Sequence, residues 1–267
     1  MSKLFFLGAG KMATAIAGGL IKAGTFQADE LLAFDVNPKA AEAFQNATGI
    51  RCVTADCKAA AAGAETVLLA VKPQMLADAV APLRSEAGNR LFLSIVAGVS
   101  IDRLTELTGS ERIVRIMPNT PMLVGRGAAG FSAGPKANKE DIALTERILA
   151  SVGIAFRVDE KYMDAVTALS GSGPAYVFEF IQALADGGVS EGLPRDMATQ
   201  LAAQTVLGAA EMVLKTGTHP TVLKDQVTSP AGTTARALEV MYRNGFAATV
   251  IDAMHACARR SEELGKK

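Results

Sequence analysis

The chain has 267 residues, of which 49% are hydrophobic, and its 27 basic residues are balanced by 27 acidic ones. This length allows a large core and two domains, whereas the balanced charge gives no indication of nucleic acid or an anionic membrane as a partner. The three cysteines form no CxxC pair, and the first apolar run is too short for a signal peptide or a membrane span, so we expect a cytoplasmic protein.

The first part of the chain alternates apolar runs with helical patterns. Strands are predicted over residues 3–7, 31–34, 50–53, 66–71, 91–96, 112–117, 127–131 and 154–158. Helices are predicted over 14–23, 38–44 and 56–62, between Pro73 and about Leu83, after Ser100, and over 138–151. The run 67–71 has no polar residue, which is typical of a strand buried on both faces of a sheet. We therefore predict a mostly parallel sheet with helices on both faces, a Rossmann-like doubly wound α/β domain over residues 1–159.

No strand pattern follows residue 159. Ala and Leu recur at helical spacing over 163–169, 175–189, 195–214, 233–242 and 246–264, with Gly and Pro between these stretches. The stretch 198–213 has Glu211 as its one charge, and a helix that is apolar nearly all round must be buried. We predict an all-α dimerisation domain over residues 160–267, in which this helix packs against a second subunit. The alternative is a compact monomeric bundle.

The first two dozen residues have the order strand, glycine turn, helix. The turn comprises Gly8, Ala9, Gly10, Lys11 and Met12. The first glycine allows a tight turn, the second allows a pyrophosphate to approach the backbone, and a small residue at 13 allows the helix to pack on the strand. The free N–H groups at the helix start would hold the anion. This pattern indicates a dinucleotide site, and the alternative is a purely structural turn.

Ligands of an open parallel sheet lie beyond the carboxyl ends of its strands. The segments there are 8–12, 35–37, 70–73, 96–98 and 117–121. Lys72 ends a buried strand, where its charge could meet phosphate or ribose oxygens, or simply be solvated. Asn119 lies between two prolines that stiffen its loop, which suits either a site wall or an ordinary turn.

Two acidic residues bear on the choice of cofactor. Asp35 ends the second strand, where a carboxylate would accept hydrogen bonds from the ribose hydroxyls of NAD and repel a 2′-phosphate; the alternative is a helix N-cap. Asp56, after the third strand, would add a second negative charge. Ala13 is more often met in NADP enzymes, but the two charges favour NADH.

Several chemistries are not indicated. The two histidines, His219 and His255, have no partners that suggest a triad, and the few cysteines and unclustered carboxylates lead us to expect no metal site. There is no Gly-x-Ser-x-Gly elbow and no Gly-Lys-Ser/Thr phosphate loop. A ketone usually needs a strong proton partner on its oxygen, whereas an imine nitrogen can be protonated before hydride arrives. Because no histidine acid is indicated, an imine is the more suitable substrate.

A second polar cluster surrounds the Pro-Ala-Gly sequence at 230–232. Ser229, Thr233 and Thr234 place hydroxyls at the start of a predicted helix, beside free backbone N–H groups. Such a helix start is an anion site of the size of a carboxylate. The alternative is ordinary N-capping without a ligand.

Several blocks resemble the pyrroline-5-carboxylate reductase family over essentially the whole chain. They are Gly8-Ala9-Gly10-Lys11-Met12, Ala70-Val71-Lys72-Pro73, Ala97-Gly98-Val99, Met117-Pro118-Asn119-Thr120-Pro121, Ser170-Gly171-Ser172-Gly173-Pro174-Ala175-Tyr176, His219-Pro220, Leu223-Lys224-Asp225 and Ser229-Pro230-Ala231-Gly232-Thr233-Thr234. The resemblance implies reduction of 1-pyrroline-5-carboxylate to L-proline, the last step of proline biosynthesis, by hydride transfer from nicotinamide C4 of NADPH or NADH to the imine carbon.

The resemblance also implies roles for individual residues. The substrate carboxylate would be held by Ser229, Gly232, Thr233 and Thr234, and the Thr234 hydroxyl would act as the catalytic group at the ring nitrogen. Together with the residues proposed above, the predicted cofactor-binding set is Leu7, Gly8, Ala9, Gly10, Lys11, Met12, Asp35, Asp56, Ala70, Val71, Lys72, Pro73, Val96, Ala97, Gly98 and Asn119. The family's helical domain interlocks with that of a partner, which places each site at a homodimer interface, and many members assemble further into homodecamers.

The chain departs from the family in two ways. Members that favour NADPH often carry Ser, Asn or Arg at 35–37, and some carry Asn at position 56, so Asp35 and Asp56 argue against a preference for NADPH. Position 231 is Ala where Gly is common, and a methyl there should be tolerable only if its backbone dihedrals are ordinary.

Two other functions stay open on the residues alone. One is a 3-hydroxy-acid dehydrogenase, which would use a helical-domain lysine, although no lysine lies between Met163 and Met212. The other is a non-catalytic dinucleotide-binding module, which would not need the 229–234 turn.

Overall fold

A computed structural model describes residues 3–265. Eight strands form one sheet in the order β3-β2-β1-β4-β5-β6-β7-β8. Their bounds are β1 Leu4–Leu7, β2 Leu31–Phe34, β3 Cys52–Val53, β4 Thr66–Leu69, β5 Leu91–Ser94, β6 Ile113–Met117, β7 Gly127–Ala133 and β8 Gly153–Arg157. All neighbouring strands are parallel except β6 and β7. The predicted doubly wound α/β fold is therefore confirmed.

The α-helices fall between and after the strands. They are α1 Lys11–Lys22, α2 Pro38–Thr48, α3 Cys57–Ala61, α4 Leu76–Val80, α5 Ile101–Thr108, α6 Lys139–Ala150, α7 Met163–Val166, α8 Gly173–Ser190, α9 Arg195–Thr216, α10 Pro220–Gln226, α11 Thr233–Arg243 and α12 Phe246–Gly265. Short 3₁₀ helices cover Ala28–Glu30, Pro73–Met75, Ala81–Glu86, Thr120–Val124 and Glu160–Tyr162, and a π-helical turn covers Thr167–Gly171. The helix α10 was not predicted.

The sheet has an apolar layer on each face because neighbouring residues of a strand point to opposite sides. In β1, Leu4 and Phe6 join the layer that contains Ile16 and Leu20 of α1. Phe5 and Leu7 join the other layer, which contains side chains of α3, α4 and α5. Both layers are fully buried, which explains why β1, β4 and β5 are apolar along almost their whole length.

The strand order determines where a ligand can bind. The chain builds β1, β2 and β3 outward in one direction and then returns to place β4, β5 and β6 on the other side of β1. The crevice of such a sheet lies beyond the carboxyl ends of its strands, at the point where this direction reverses. That point lies between β1 and β4. We call this side of the sheet the carboxyl edge.

The structure divides into two compact units. The first comprises the chain up to Ser172 and the residues from Cys257 onward, and the second is Gly173–Ala256. The predicted division between residues 159 and 160 stays a prediction. Within the described residues no strand follows Arg157, and no helix is long and apolar enough to cross a membrane.

The helical second unit has little core of its own. Its one buried apolar cluster consists of Ala185, Ala198 and Ala202. Large apolar side chains of α8 and α9 are instead exposed in the single chain, including Phe178, Leu184, Leu201, Leu207 and Met212. A unit with so few buried residues leaves an apolar surface of the kind that an oligomer covers.

Candidate functional site

The glycine turn at residues 8–12 joins β1 to α1 and accepts only glycine at its first position. Gly8 has φ +104°, and a Cβ there would lie 2.7 Å from the carbonyl oxygen of Ala70. Its N–H donates to the carbonyl of Phe34 at 2.8 Å. The turn is thus held between the ends of β2 and β4, the two neighbours of β1.

The start of α1 offers unpaired backbone donors. Its N-cap is Gly10, and no side chain caps the helix. Among residues 3–265, the N–H groups of Gly10, Lys11 and Met12 have no hydrogen-bond partner, and a Cβ on Gly10 would meet no atom within 4 Å. Free amides, a helix dipole and open space beside the backbone fit a pyrophosphate. The predicted residues around the turn therefore suit a dinucleotide.

Asp35 binds the glycine turn itself. Its Oδ2 accepts from the Ala9 N–H at 2.8 Å, and its Oδ1 accepts from the Asn37 N–H at 2.9 Å. The N-cap of α2 is Asn37, so Asp35 does not cap that helix. A carboxylate has about four acceptor positions, and two remain for ribose hydroxyls. The bond to Ala9, across 26 residues of sequence, was not foreseen.

Asp56 and two thiols occupy the neighbouring corner. Asp56 has φ +51°, caps α3 by accepting from Ala59 N–H at 3.0 Å, and lies just beyond β3. The pKa of Cys52 is raised to about 11 by burial and by the charge of Asp35, and that of Cys57 to about 11 by burial and by the charge of Asp56. Both carboxylates thus place negative charge on the β2–β3 side of the edge.

The ends of β4 and β5 bring the remaining backbone segments to the same edge. Ala70, Val71, Lys72 and Pro73 follow β4, and the Ala70 N–H donates to the Leu7 carbonyl at 2.8 Å. Lys72 is exposed and has no ion-pair partner in the described part of the chain. Val96, Ala97 and Gly98 follow β5, and Gly98 has φ +72°.

Asn119 follows β6 and is 7% exposed. Its Oδ1 accepts from the Ala128 N–H at 3.0 Å, and its Nδ2 donates to the Ser170 carbonyl at 3.0 Å. The side chain is therefore engaged by the protein on both sides of its carboxamide, which is more than ordinary turn chemistry requires.

The 229–234 turn belongs to the second unit and opens α11. The Gly232 N–H donates to the Ser229 carbonyl at 3.0 Å, which closes a four-residue turn with Pro230 and Ala231 at its centre. Ala231 has φ +56°, so the condition of ordinary dihedrals is not met, and the alanine occupies the left-handed region. A turn with proline second favours a positive φ at the third position, where glycine is usual, and this geometry overrides the preference of alanine.

The hydroxyls of this turn are free of protein partners. Within residues 3–265, those of Ser229, Thr233 and Thr234 make no hydrogen bond, and α11 has no side-chain cap. The alternative of ordinary N-capping is therefore not realised. A Cβ on Gly232 would lie 2.2 Å from Ser229 Oγ, so only glycine allows this hydroxyl to lie over the helix start. Hydroxyls and amides that face one position are suited to a carboxylate.

A contact that was not predicted braces the helices on either side of this turn. Lys224 of α10 donates from Nζ to the Tyr242 hydroxyl of α11 at 2.7 Å. This hydrogen bond raises the pKa of Lys224, with a smaller contribution from the charge of Asp225. In the sequence, the one sign of this pair is that a lysine and a tyrosine lie on two helices joined by a short turn.

The predicted residues thus form two groups. The cofactor set lies in the first unit at the carboxyl edge, and the substrate set lies in the second unit at the start of α11. Among the described residues, no three His, Cys, Asp or Glu side chains cluster so as to hold a metal ion.

Comparisons with known proteins agree over the whole chain. The family model for pyrroline-5-carboxylate reductase dimerisation matches residues 160–264, and that for NADP oxidoreductase coenzyme F420-dependent matches residues 3–98. The chain is 44% identical to a pyrroline-5-carboxylate reductase of Arabidopsis thaliana, over 99% of this chain and 96% of that protein.

Solved structures are similar over the same length. A pyrroline carboxylate reductase of Plasmodium falciparum with NADP bound has a TM-score of 0.88 and 35% identity, over 99% of this chain and 98% of that one. A pyrroline-5-carboxylate reductase of Coxiella burnetii has a TM-score of 0.93 and 34% identity, over 100% of this chain and 99% of that one.

Proposed function

Because the chain belongs to the pyrroline-5-carboxylate reductase family, we propose that it reduces the C=N bond of 1-pyrroline-5-carboxylate and so forms L-proline. The chain is an oxidoreductase that uses a nicotinamide cofactor. The bound NAD(P)H supplies the hydride, and the protein supplies binding and orientation.

The observation that carries this proposal is the unpaired donor set of the 229–234 turn. A cyclic imino acid has one carboxylate, and the hydroxyls of Ser229 and Thr233 with the amides at the start of α11 would hold it. A dinucleotide-binding module without catalysis has no use for a second, smaller anion site.

Thr234 would orient the ring nitrogen. Its hydroxyl makes no hydrogen bond to another described residue, so it is free to donate to or accept from the substrate. The imine nitrogen can carry its proton before the reaction, so the carbon that accepts hydride is already electrophilic. The protein then needs no histidine acid, and it accelerates the reaction mainly by holding the imine carbon in place.

For the cofactor we propose that NADH is accepted at least as well as NADPH. Asp35 and Asp56 place two carboxylates on the side of the edge where a doubly wound sheet binds the adenosine ribose. A 2′-phosphate there would be repelled. The predicted cofactor set keeps its roles within this proposal: backbone amides of 8–12 for the pyrophosphate, and 70–73, 96–98 and Asn119 along the rest of the dinucleotide.

The match to the dimerisation domain supports homo-oligomerisation. We propose a homodimer through the helical domain, residues 160–267, with the α/β domain over 1–159, and further assembly to a homodecamer. The exposed apolar side chains of α8 and α9 support an interface there. A cytoplasmic location is part of the same proposal.

A turnover assay with purified protein tests the reaction. We expect oxidation of NADH and of NADPH that depends on 1-pyrroline-5-carboxylate, with L-proline formed in equal amount. The same assay with a 3-hydroxy acid and NAD⁺ tests the other dehydrogenase. Binding of both cofactors without proline formation would leave a binding module and contradict the proposal.

A further inference from the structure

We propose that Asn119 is a positioning residue, which holds the π turn Thr167–Gly171 against the carboxyl edge and thereby sets the floor on which the nicotinamide half of the cofactor rests. This inference rests on the proposed function, because it concerns hydride transfer. It differs from a simple cofactor contact in that Asn119 acts through the backbone of another segment.

A proline explains why the Ser170 carbonyl uses a hydrogen-bond donor from another part of the chain. In a continuous helix the Ser170 carbonyl would accept from the N–H of residue 174, four positions on. Residue 174 is proline, which has no N–H. The Ser172 N–H instead bonds the Thr167 carbonyl at 2.8 Å, five positions back, which is the π geometry. A continuous α-helix would therefore leave the Ser170 carbonyl without its donor four residues on.

Asn119 supplies that donor from a distant part of the chain. Its Nδ2 bonds the Ser170 carbonyl at 3.0 Å, across 51 residues of sequence. Its Oδ1 is fixed by the Ala128 N–H of β7 at 3.0 Å. The carboxamide is buried, so both bonds are made away from bulk water and determine which way the side chain faces. Asn119 thus connects the end of β6, strand β7 and the π turn.

The π turn packs directly on the last residue of β6. A Cβ on Gly171 would lie 2.4 Å from Met117 Cε, so the turn is in close contact with the end of this side chain. Beside it, a Cβ on Gly130 of β7 would lie 2.7 Å from Val166 Cγ1, at the residue before the π turn. The segment that contains the turn therefore packs on the end of β6 and the middle of β7, and the bond from Asn119 favours this position.

The ends of β4, β5 and β6 belong to the half of a doubly wound sheet that binds the second nucleotide. Asp35 and the glycine turn serve the first half, so the nicotinamide falls on the side where Met117 and the π turn lie. A shift of the floor by about 1 Å is enough to lower a rate about a hundredfold, because hydride transfer depends on the placement of the ring.

The experiment compares Asn119→Asp with Asn119→Ala. The aspartate has the same shape and keeps the bond from Ala128, but its carboxylate cannot donate to Ser170 and places an oxygen against the carbonyl. The matched control is Asn138→Asp, since Asn138 accepts one bond from the Asp141 N–H and its side chain donates none. We measure kcat, the melting temperature, and Kd for NADH and for ADP-ribose, which lacks the nicotinamide.

We expect Asn119→Asp and Asn119→Ala to lower kcat by about tenfold to a hundredfold and to weaken NADH binding, with Kd for ADP-ribose within about twofold of wild type. Asn138→Asp should match wild type in all four quantities. An unchanged kcat in Asn119→Asp would overturn the inference. Equal weakening of NADH and ADP-ribose would also overturn it, because it would show general damage to the fold.

The two affinities need no substrate, so they test the inference even if wild type forms no proline. In that case the proposed function fails, whereas a selective loss of NADH over ADP-ribose would still place the nicotinamide on the π turn. If wild type forms proline but NADH and ADP-ribose bind every variant as tightly as they bind wild type, the inference fails and the proposed function stands.

Discussion

The starts of α1 and α11 have almost the same backbone but opposite chemistry. Their N-cap residues are Gly10, at φ −73° and ψ 178°, and Gly232, at φ −74° and ψ 172°, and neither helix has a side-chain cap. The turn before α1 has no hydroxyl and is tied down by the carboxylate of Asp35. Within residues 3–265, the turn that opens α11 has three hydroxyls without a hydrogen-bond partner and no carboxylate bonded to it.

The difference follows from the ligands that the two starts are proposed to hold. A pyrophosphate has several charged oxygens and is bound well by bare amides and the helix dipole. A small imino acid offers one carboxylate, and its ring must be oriented as well as bound, which hydroxyls at defined positions achieve. The α1 start would then determine affinity for the cofactor, and the α11 start would determine the rate.

The largest effects are expected at Gly8 and Gly10. Gly8→Ala should destabilise the protein by about 2 kcal/mol or more, because φ is +104° and the methyl would press on the Ala70 carbonyl.

Gly10→Ala should leave the melting temperature of the free protein unchanged, since its methyl meets no protein atom. It should nevertheless weaken the binding of NADH and of NADPH at least about tenfold, because the methyl blocks the pyrophosphate. Unaltered cofactor binding in Gly10→Ala, measured by calorimetry, would contradict the assignment of the pyrophosphate to the start of α1.

The next largest effect is expected at Thr234. Thr234→Ala should lower kcat about tenfold to a hundredfold, about 1.4–2.7 kcal/mol, by loss of the hydroxyl at the ring nitrogen. The melting temperature should not change, because that hydroxyl has no partner in residues 3–265.

Two controls separate rate from stability at this helix start. Thr234→Ser keeps the hydroxyl and should retain most of the activity. Thr228→Ala removes a hydroxyl that donates to the Lys224 carbonyl at 2.7 Å, so it should lower the melting temperature and leave kcat near wild type. A kcat of wild-type size in Thr234→Ala would take Thr234 out of the mechanism.

A smaller effect is expected at Asp35, where the structure separates charge from shape. Asp35→Asn keeps an oxygen for the Ala9 N–H, loses the acceptor of the Asn37 N–H and removes the charge. Because the charge acts on the 2′-phosphate, the preference should shift towards NADPH by about 1 kcal/mol, roughly fivefold. Asp35→Ala also frees the Ala9 N–H, so both cofactors should bind more weakly. The ratio of kcat/KM for the two cofactors is the measurement, and a ratio that Asp35→Asn leaves unchanged would refute the charge argument.

The smallest effect is expected at Ala231. Ala231→Gly relieves a positive φ but loosens the unfolded chain, so we expect a net gain of about 0.5–1 kcal/mol in unfolding free energy. In Ala235→Gly, inside α11, the same change of residue should cost about 1 kcal/mol, because the helical backbone there favours alanine. Urea denaturation distinguishes the opposite signs, and a loss of stability in Ala231→Gly would contradict the assigned strain.

The periodic parts of the fold were predictable from the sequence. All eight strands were predicted, although β3 has only two residues. The clearest were β1, β4 and β5, because a strand buried on both faces has to be apolar along its length. Helix α10 was missed because it has seven residues and lies between glycine, proline and serine, which indicate loops. A hydrophobic period can be recognised only in an element that is long enough to show it more than once.

The bonds that complete the candidate site could not be predicted in this way. Asp35 was placed at the cofactor, but its bond to Ala9 depends on how the end of β2 meets the end of β1. The partner of Asn119 lies 51 residues away, in a π turn that no propensity indicates. The φ of Ala231 depends on the closure of a turn around Pro230. Each of these needs a relation between distant or strained backbone segments, which residue type alone does not encode.

The chain leaves its first unit after Ser172 and returns to it at Cys257. The thiol of Cys257 lies 3.3 Å from the Ser172 hydroxyl, and the returning segment is tied to the unit by Ser261, which donates to Asp164 at 2.6 Å. The helical unit is therefore an insertion whose two ends lie side by side. Because these ends are adjacent, we expect that a short flexible linker from Ser172 to Cys257 could span the place of the helical insert, the geometry that domain replacement requires.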